Sequence, residues 1–255
     1  MLVRSTSLAT FKACPRKAYY RYHLGLVRKG SNNTDTGFGK AVHLGIETYH
    51  KTGSLAVAIE QCQTIVFPPN KNKNMQSAVA LLHVYAAGNK ISMIDLEVKF
   101  EKPFGKHIWR GTVDGRGVYL VDNRIYIIEH KTTNPRYLQY KPNDQFIGYF
   151  YIMRDEFEDL AGILVNNLNP EKIEVIRSPV IYSDAELAQW YDETTQVLDY
   201  YDSCLRNDSF PRNPGSCFDY NRQCSFFELC QDGLHNRALI GALFDESTEA
   251  KELSW

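Results

Sequence analysis

The sequence has no long apolar run, no internal repeat, no low-complexity linker and almost no net charge. No stretch approaches the roughly 20 apolar residues that cross a bilayer. The first residues, Met-Leu-Val-Arg, also lack the apolar core of a signal peptide. We therefore expect an intracellular, cytoplasmic chain without a membrane partner. With 44% apolar and 23% charged residues among 255, the composition is that of a globular protein with one large domain.

Acidic residues are absent from the first 34 positions, although the formal net charge of the whole chain is −1. Overall charge therefore does not indicate a nucleic-acid-binding protein, whereas the basic amino-terminal segment could contact phosphates. Arg16 and Lys17, in this segment, are the candidates for such contacts. They follow Pro15, which fits the first turn of a predicted helix. The alternative is that these charges form a solvated helix surface.

Hydrophobic periodicity predicts helices in residues 1–90, strands in most of residues 91–182 and a long covering helix from about residue 183. Ser5 or Ser7 could cap the first helix. Another helix, with an apolar stripe of Phe38, Val42 and Ile46, follows a polar loop. The predicted strands cover residues 91–101, 108–120, 124–131, 160–168 and 173–182. This order predicts an α/β fold whose sheet is covered by helices.

Two carboxylates and a lysine lie near the ends of two successive predicted strands. A two-residue turn at Asp122-Asn123, whose side chains tolerate left-handed backbone, would place Asp114 opposite Lys131. Since side chains alternate between faces, Glu129 would lie on the same face, diagonal to Asp114. A metal-dependent hydrolase of phosphodiesters needs these groups together. A bulge or a one-residue change in the turn would separate them.

Several further side chains could complete such a site. His43 and Glu47 are four residues apart on one predicted helix face. They are either metal-ligand or proton-transfer candidates, or a surface pair. Glu97 is either an outer metal ligand or an edge-strand acid. Gln145 and Tyr149 share a face of the helix after the strand that carries Lys131, where they could contact a nucleotide or, for the tyrosine, join the core.

Cysteine spacing lacks the common C-x2-C pattern, but three of the six cysteines, Cys217, Cys224 and Cys230, are clustered. In an intracellular protein such clustering favours a metal site over disulfides. Cys14, at a predicted helix start, could supply the fourth thiolate for a [4Fe-4S] cluster or, less favourably, a four-cysteine zinc site. Cys62 and Cys204 lie within helical patterns, so we expect buried thiols there.

Five motifs and the cysteine-rich tail follow one another along nearly the whole chain: Ser5-x-Ser7-Leu8-x-x-Phe11-x-x-Cys14-Pro15-Arg16, Gly39-x-x-x-His43-x-x-x-Glu47, Gly111-Thr-Val-Asp114-Gly115, Glu129-x-Lys131-Thr132, Gln145-x-x-x-Tyr149 and Cys217/Cys224/Cys230. This combination resembles the RecB-type branch of the PD-(D/E)XK nucleases. It is most similar to the iron–sulfur group of that branch, which includes the nuclease domains of bacterial recombination helicase-nucleases and the small CRISPR-associated exonucleases. Stand-alone viral versions also exist.

The resemblance implies a role for each matching residue. The implied ligands of Mg²⁺ or Mn²⁺ are His43, Asp114, Glu129 and the carbonyl of His130, and Lys131 corresponds to the active-site lysine. Gln145 and Tyr149 match the motif that positions DNA. The implied cluster ligands are Cys14, Cys217, Cys224 and Cys230. Two departures stand out, because Val113 replaces the proline of the family name and the spacing between Cys217 and Cys224 is longer than usual.

The resemblance also implies a single nuclease domain over residues 1–255. A helical part (1–90) would precede a restriction-endonuclease-like core with a central mixed β-sheet flanked by helices (91–182). A covering helix, the three-cysteine segment and an acidic tail would follow (183–255). We expect a DNA exonuclease acting on single strands or ends, with some endonuclease activity and a structural cluster. The alternatives are a non-catalytic DNA-binding or assembly module and a nuclease with zinc.

The expected macromolecular partner is DNA. A helicase, recombination or integrase partner, or a second copy of the chain in a homo-oligomer, would fit the resemblance. A compact chain without a fused helicase would suit a virus or a CRISPR locus. We therefore expect the cytoplasm of a bacterium, an archaeon or a virus-infected host cell.

Overall fold

The computed structural model describes residues 2–30, 34–138, 140–157, 159–219, 222–232 and 236–248. The described chain divides into two units. Unit 1 contains Met1–Ser31, Glu101–Gly111 and Asp184–Trp255, and unit 2 contains Asn32–Phe100 and Thr112–Ser183. Two of the four boundaries between the units, after Phe100 and after Gly111, fall within the strand before Asp114 and the strand that carries it.

Unit 1 is largely helical. Its helices are α1 (Ser5–Ala13), α2 (Pro15–Ala18), α7 (Asp184–Arg206), α8 (Phe227–Gln231) and α9 (Arg237–Leu243), with a π-helical turn at Tyr19–His23. Strand β2 (Leu26–Arg28) pairs antiparallel with β8 (Phe244–Glu246). Aromatic side chains dominate the core of this unit. Phe11, Tyr20, Tyr201 and Phe226 belong to one buried cluster.

The first two helices of unit 1 begin as the sequence predicts, with one exception. Pro15 occupies the first turn of α2, as predicted, because its missing N–H is not needed there. Arg4, rather than Ser5 or Ser7, is the N-cap of α1. Ser7 lies one turn into the helix, where its hydroxyl accepts from the Arg4 amide (3.3 Å) and donates to the Arg4 carbonyl (2.9 Å). The expectation of a serine cap was therefore wrong.

Unit 2 contains three helices that precede its strands in sequence and a fourth helix, described below, between two of the strands. Helices α3 (Thr34–Thr52), α4 (Leu55–Gln63) and α5 (Met75–Ala87) pack around Phe38, Val42, Ile46 and Leu82. Ser54 and Asn74 cap α4 and α5. The predicted apolar stripe of α3 is therefore confirmed, because Phe38, Val42 and Ile46 are all buried.

Six strands in the described residues form a mixed sheet. They are β1 (Leu2–Val3), β3 (Ile91–Phe104), β4 (His107–Tyr119), β5 (Arg124–Lys131), β6 (Leu160–Asn169) and β7 (Glu174–Val180), in the order β1-β4-β5-β6-β7 with β3 paired to β4. Strands β4 and β5 are antiparallel, β5 and β6 parallel, and β6 and β7 antiparallel. The predicted fold, a central mixed sheet flanked by helices, is confirmed.

The hairpin between β4 and β5 corrects one prediction. Tyr119 pairs with Arg124, so the connection has four residues rather than two, and the register is displaced by two residues from the expected one. Asn123 has the left-handed backbone expected of it, with φ of 57°. Because a displacement of two residues preserves the side-chain faces, the error did not separate the carboxylates. The pairing shows no bulge through Gly115, Arg116 and Gly117.

Helix α6 (Asp144–Met153) lies between β5 and β6 in sequence and is capped by Asn143, whose side chain accepts from the amides of Gln145 and Phe146. Strand β6 is buried at every position, as expected for a strand paired on both sides. No helix in the described part of the chain is long and apolar enough to cross a membrane.

Candidate active site

Asp114, near the middle of β4, is held by two contacts from opposite directions. Its Oδ2 accepts a 2.6 Å hydrogen bond from the backbone amide of His130. Its Oδ1 lies 3.1 Å from Nδ1 of His43 on α3. Burial alone would raise the pKa of Asp114, but the charge and hydrogen bond of His43, together with His130, hold it well below its usual range. Asp114 is therefore a carboxylate at neutral pH.

His43 shows the reciprocal effect. Burial lowers the pKa of its imidazole, but the charge and hydrogen bond of Asp114, with the charge of Glu129, raise it above the ordinary value overall. Gly39 lies one turn earlier on α3, where a Cβ would sit 3.3 Å from the Thr132 hydroxyl. The lack of a side chain at Gly39 thus lets α3 approach the end of β5. This close approach explains the glycine four residues before the histidine.

Glu129, Lys131 and Gln145 form a second group. Glu129 is 5% exposed. Lys131 Nζ donates to Glu129 Oε1 and to Gln145 Oε1, both at 2.7 Å. Gln145 Nε2 donates back to Glu129 Oε1 at 3.1 Å. The three side chains therefore close a ring of hydrogen bonds between β5 and the first turn of α6.

Burial raises the pKa of Glu129 to about 7, with the Asp114 charge acting in the same direction and Lys131 opposing both. The two carboxylates are therefore close enough for each to disfavour the other's charge. A divalent cation would relieve that repulsion, and two carboxylates with an imidazole are an oxygen-rich donor set suited to Mg²⁺ or Mn²⁺. The donors fit such an ion chemically. No group of three or more His, Cys, Asp or Glu in the described ranges is already arranged as a metal cage.

Tyr149 combines the two roles that the sequence left open. Its hydroxyl accepts from Gln145 Nε2 at 3.1 Å, so it supports the ring of hydrogen bonds. Its aromatic ring is 7% exposed and packs edge-to-face on Phe100, with centroids 5.6 Å apart. Tyr149 is thus a core aromatic whose polar end reaches the site.

The His130 side chain contacts residues of β6, α3 and α5. Burial lowers its pKa to about 3, so the imidazole is neutral. Asn166 Nδ2 lies 3.2 Å from His130 Nδ1, which makes Nδ1 the acceptor and places the ring proton on Nε2. The ring also makes edge contacts with His43 and Tyr85. Asn166 and Tyr85 are supporting residues that the sequence reasoning missed. A polar residue inside the apolar run of β6 was the available signal for Asn166.

The two secondary candidates take different positions. Glu47 pairs with Lys51 one helical turn away, whereas His43 pairs with Asp114, so the two residues have separate partners. Glu97 is exposed in β3 and has φ of 50°, in the left-handed region. Its partial burial and the charges of Asp114 and Glu47 raise its pKa. Glu97 therefore lies near the acidic side of the site, and its role as an outer ligand stays a prediction.

Arg16 is engaged inside unit 1. Its Nε donates to the Phe210 carbonyl at 3.0 Å, and its backbone amide donates to the Pro211 carbonyl at 3.2 Å. Lys17 is half-buried next to it. Arg16 thus joins α2 to the segment after α7. A role of Arg16 and Lys17 in DNA contact stays a prediction.

The four cysteines expected to bind a cluster all lie in unit 1, and all are free thiols. Cys14 is buried, and its Sγ accepts from the Asn213 amide at 3.4 Å. The Cys224 amide donates to the Cys217 carbonyl at 2.8 Å. Burial raises the pKa of Cys230, and Cys14 and Cys217 are near enough to add to that shift. Three of the four thiols are therefore neighbours, and Cys224 is tied to Cys217 through the backbone.

The other two cysteines are inert core residues, as predicted. Cys62 and Cys204 are buried, at 0% and 3% exposure. Burial raises the pKa of both thiols, to about 11 for Cys62.

The comparison with known proteins agrees with this geometry. A profile of the PD-(D/E)XK nuclease superfamily matches residues 5–231. Because the match spans most of the sequence and all the motifs above, the chain belongs to the PD-(D/E)XK nuclease superfamily.

A solved structure shows the same fold. A protein from Eubacterium rectale, described as a candidate exonuclease, is 11% identical and superposes with a TM-score of 0.53, covering 90% of this chain and 87% of its own. The protein named SSO0001 is 12% identical, with a TM-score of 0.34 over 77% of this chain and 76% of its own, too low to carry an argument. No curated protein sequence matches this chain significantly.

Proposed function

We propose that the protein is a divalent-metal-dependent deoxyribonuclease of the RecB-type branch, acting mainly as an exonuclease on single-stranded DNA or DNA ends. The observation that carries the proposal is the pair of hydrogen-bonded groups in unit 2. One joins Asp114 to His43, and the other joins Glu129, Lys131 and Gln145. Two carboxylates that repel each other are rarely buried beside a lysine for a purely structural reason. Metal-dependent hydrolysis of phosphodiesters, in contrast, requires such a group.

Asp114, Glu129, His43 and the His130 carbonyl would hold Mg²⁺ or Mn²⁺. His43 lies 3.1 Å from Asp114 through Nδ1, so the two side chains would both belong to such a ligand set. The bound ion would lower the pKa of a water molecule and neutralise charge on the phosphate. The His130 amide keeps Asp114 oriented for this task through its 2.6 Å hydrogen bond.

Lys131 is the residue placed to act on the attacking water or on the developing negative charge of the phosphate. Its ammonium is held by Glu129 and Gln145, so its position is set before DNA binds. Gln145 in turn is held by Tyr149. Gln145 and Tyr149 would therefore act first by positioning Lys131, and we propose that they also position the DNA strand.

The preference for single strands or ends follows from the elements around the site. Helix α3 supplies His43 and helix α6 supplies Gln145, so two helices contribute side chains to the site. A threaded strand would reach such a site more easily than the middle of a duplex. The description of the Eubacterium rectale protein as a candidate exonuclease supports this choice. A helicase, recombination or integrase partner would supply such strands.

We further propose that Cys14, Cys217, Cys224 and Cys230 bind a structural [4Fe-4S] cluster. The neighbouring thiols of Cys14, Cys217 and Cys230, and the positive charges of Arg16 and Arg212 beside Cys230, support a bound centre that carries thiolate charge. A zinc ion held by the same four thiolates is the second candidate. Anaerobically purified protein should be brown, and colourless protein with one zinc per chain would contradict the cluster.

The decisive experiment compares wild type with Asp114→Asn on end-labelled linear and on circular single-stranded DNA, with Mn²⁺ and with EDTA. We expect the wild type to degrade linear DNA only with the metal, and the variant to be slower by about 1,000-fold or more. Cleavage of circles would measure the endonuclease activity. The matched control is Asp155→Asn, which removes the charge of a carboxylate that is 89% exposed.

Two results would contradict the proposal. If the wild type binds DNA but never cleaves it with a divalent ion, the protein is a binding or assembly module. If Asp114→Asn cleaves as fast as Asp155→Asn, another site carries the activity.

A further inference from the structure

Strand β6 ends with three buried asparagines, and one of them differs from the other two. Asn166, Asn167 and Asn169 are all at most 1% exposed. Asn169 is satisfied at both ends of its amide, because Nδ2 donates to Glu174 Oε1 (2.8 Å) and Oδ1 accepts from the Glu171 amide (3.1 Å). Asn166 is satisfied at one end, because Nδ2 reaches His130 whereas Oδ1 has no hydrogen-bond partner among the described residues.

In contrast, neither Nδ2 nor Oδ1 of Asn167 has a hydrogen-bond partner within the described part of the chain. A buried amide without a partner destabilises a fold, and an apolar side chain of the same shape would avoid that cost. Asn167 is therefore not explained by packing or by the fold of β6.

The position of Asn167 supplies a functional reason. In the parallel pair of β5 and β6, Asn167 is the register partner of Lys131, and Val165 is the partner of Glu129. Register partners in a parallel pair point to the same face of the sheet. Asn167 consequently lies beside Lys131, on the face where Lys131 meets Glu129 and Gln145, while Asn166 lies on the opposite face with His130.

The hydrogen-bonding capacity of Lys131 matches this neighbour. An ammonium has three N–H donors, and two of them are used by Glu129 Oε1 and Gln145 Oε1. Asn167 offers an acceptor and two donors from the adjacent strand. A water molecule between buried polar groups needs two to four partners, and the third N–H of Lys131 with the Asn167 amide would provide them.

We propose that Asn167 is a positioning residue that holds the Lys131 ammonium through one ordered water molecule. This inference rests on the proposed nuclease function, in which Lys131 acts at the phosphate. With Glu129, Gln145 and the water all in place, the ammonium has three fixed acceptors and a single orientation. Small displacements of a reacting group can cost about a hundredfold in rate, so a third acceptor would affect catalysis rather than DNA binding.

The test compares Asn167→Leu, which replaces the amide by an apolar group of similar size, with Asn169→Leu, which removes a satisfied amide two residues away on the same face. For Asn167→Leu we expect a melting temperature at or above that of the wild type. We also expect kcat to fall about 10- to 100-fold with little change in KM for DNA. For Asn169→Leu we expect a lower melting temperature and an unchanged kcat per folded molecule. Asn167→Asp, which keeps an acceptor oxygen, should recover part of the rate.

A second measurement does not depend on activity. In protein labelled with ¹⁵N at the lysine Nζ, the Lys131 ammonium should give a sharp, slowly exchanging signal, which disappears in Lys131→Arg and thereby is assigned. We expect this signal to broaden in Asn167→Leu and to persist in Asn169→Leu.

The outcomes separate this inference from the proposed function. A wild type that cleaves DNA, with normal kcat and an unchanged Lys131 signal in Asn167→Leu, would overturn only the role of Asn167. So would a loss of stability in Asn167→Leu with kcat and signal unchanged, because the amide would then be structural. If the wild type cleaves nothing, the nuclease proposal fails, and the Lys131 signal alone still decides whether Asn167 holds the ammonium.

Discussion

The carboxylate site of unit 2 and the cysteine group of unit 1 are organised in opposite ways. In unit 2, acids, a lysine, an imidazole and an amide contact one another directly, at 2.6–3.1 Å for Asp114 with the His130 amide and His43. In unit 1, the cysteines are neighbours, but the contacts of Cys14 and Cys217 are with the Asn213 backbone rather than with each other.

The difference follows from the chemistry of the groups. Donors and acceptors of opposite charge stabilise one another, whereas four thiols have little mutual attraction until an ion joins them. We therefore expect the carboxylate site to be largely formed without a metal ion, and the cysteine region to depend on the iron or zinc that we propose for it.

The largest expected effect separates activity from stability at the carboxylate site. Glu129→Gln keeps the shape of a buried side chain whose pKa is raised to about 7 by burial. We expect DNA cleavage to fall by about 1,000-fold, while the free energy of unfolding stays the same or rises by about 1 kcal/mol, because a buried charge is removed. Cleavage assays and urea unfolding measure the two quantities. A large loss of stability would show that Glu129 holds the fold together, and the contrast between the units would then fail.

Removing a cysteine of the proposed ligand set should, in contrast, lower stability. Cys14→Ser should abolish stoichiometric binding of iron or zinc and lower the free energy of unfolding by several kcal/mol, about 3 or more, because metal binding is coupled to folding. Metal analysis, absorption spectra and thermal unfolding would show it. The control Cys204→Ser changes a buried thiol in the same unit and should lose stability but keep the metal. A Cys14→Ser protein with full metal content would remove Cys14 from the ligand set.

The smallest expected effect is on the pH dependence of the free energy of unfolding, measured without any metal. Burial lowers the pKa of His50 in unit 2 to about 4, and its Nε2 lies 2.8 Å from the Tyr85 hydroxyl. Because the folded-state pKa lies below the ordinary value of 6.5, stability is fully present above pH 6.5 and is lost as the pH falls toward 4. We expect a loss of roughly 2 kcal/mol, after allowance for partial exposure.

His50→Gln, which can still bond to Tyr85, should remove that part of the pH dependence. Urea unfolding at pH 7.0 and pH 4.5 for both proteins isolates the contribution of His50, because all other titrating groups are shared. Equal losses in the two proteins would show that the pKa of His50 does not differ between the folded and unfolded states.

Local sequence signals predicted most of the elements of both units. The bounds of β5, residues 124–131, agree with the prediction, and Pro15 lies in the first turn of α2, as predicted. Helix capping, proline placement and hydrophobic periodicity depend on residues close together in the sequence, so they can be predicted from the sequence alone.

Contacts between segments far apart in the sequence could not be predicted from local sequence signals. The short strands β1, β2 and β8 form because residues far apart in sequence pair with them. The hairpin loop has four residues because Asp122 accepts from Tyr126 and Arg124 within it, a pattern that the Asp-Asn dipeptide did not reveal.

The sequence by itself determined the chemical identity of the candidate site: two carboxylates, a histidine and a lysine on motifs whose order is typical of one nuclease superfamily. Tertiary structure alone decided how these groups share protons and contacts. In the tertiary structure, Asp114 forms hydrogen bonds with His43 and the His130 amide, and Lys131 forms them with Glu129 and Gln145. The tertiary structure also buried Asn167 beside Lys131, with no hydrogen-bond partner for its amide among the described residues. The reason is that burial and charge proximity set the pKa of a group and its hydrogen bonds, and both arise only when α3, β4, β5, β6 and α6 are packed together.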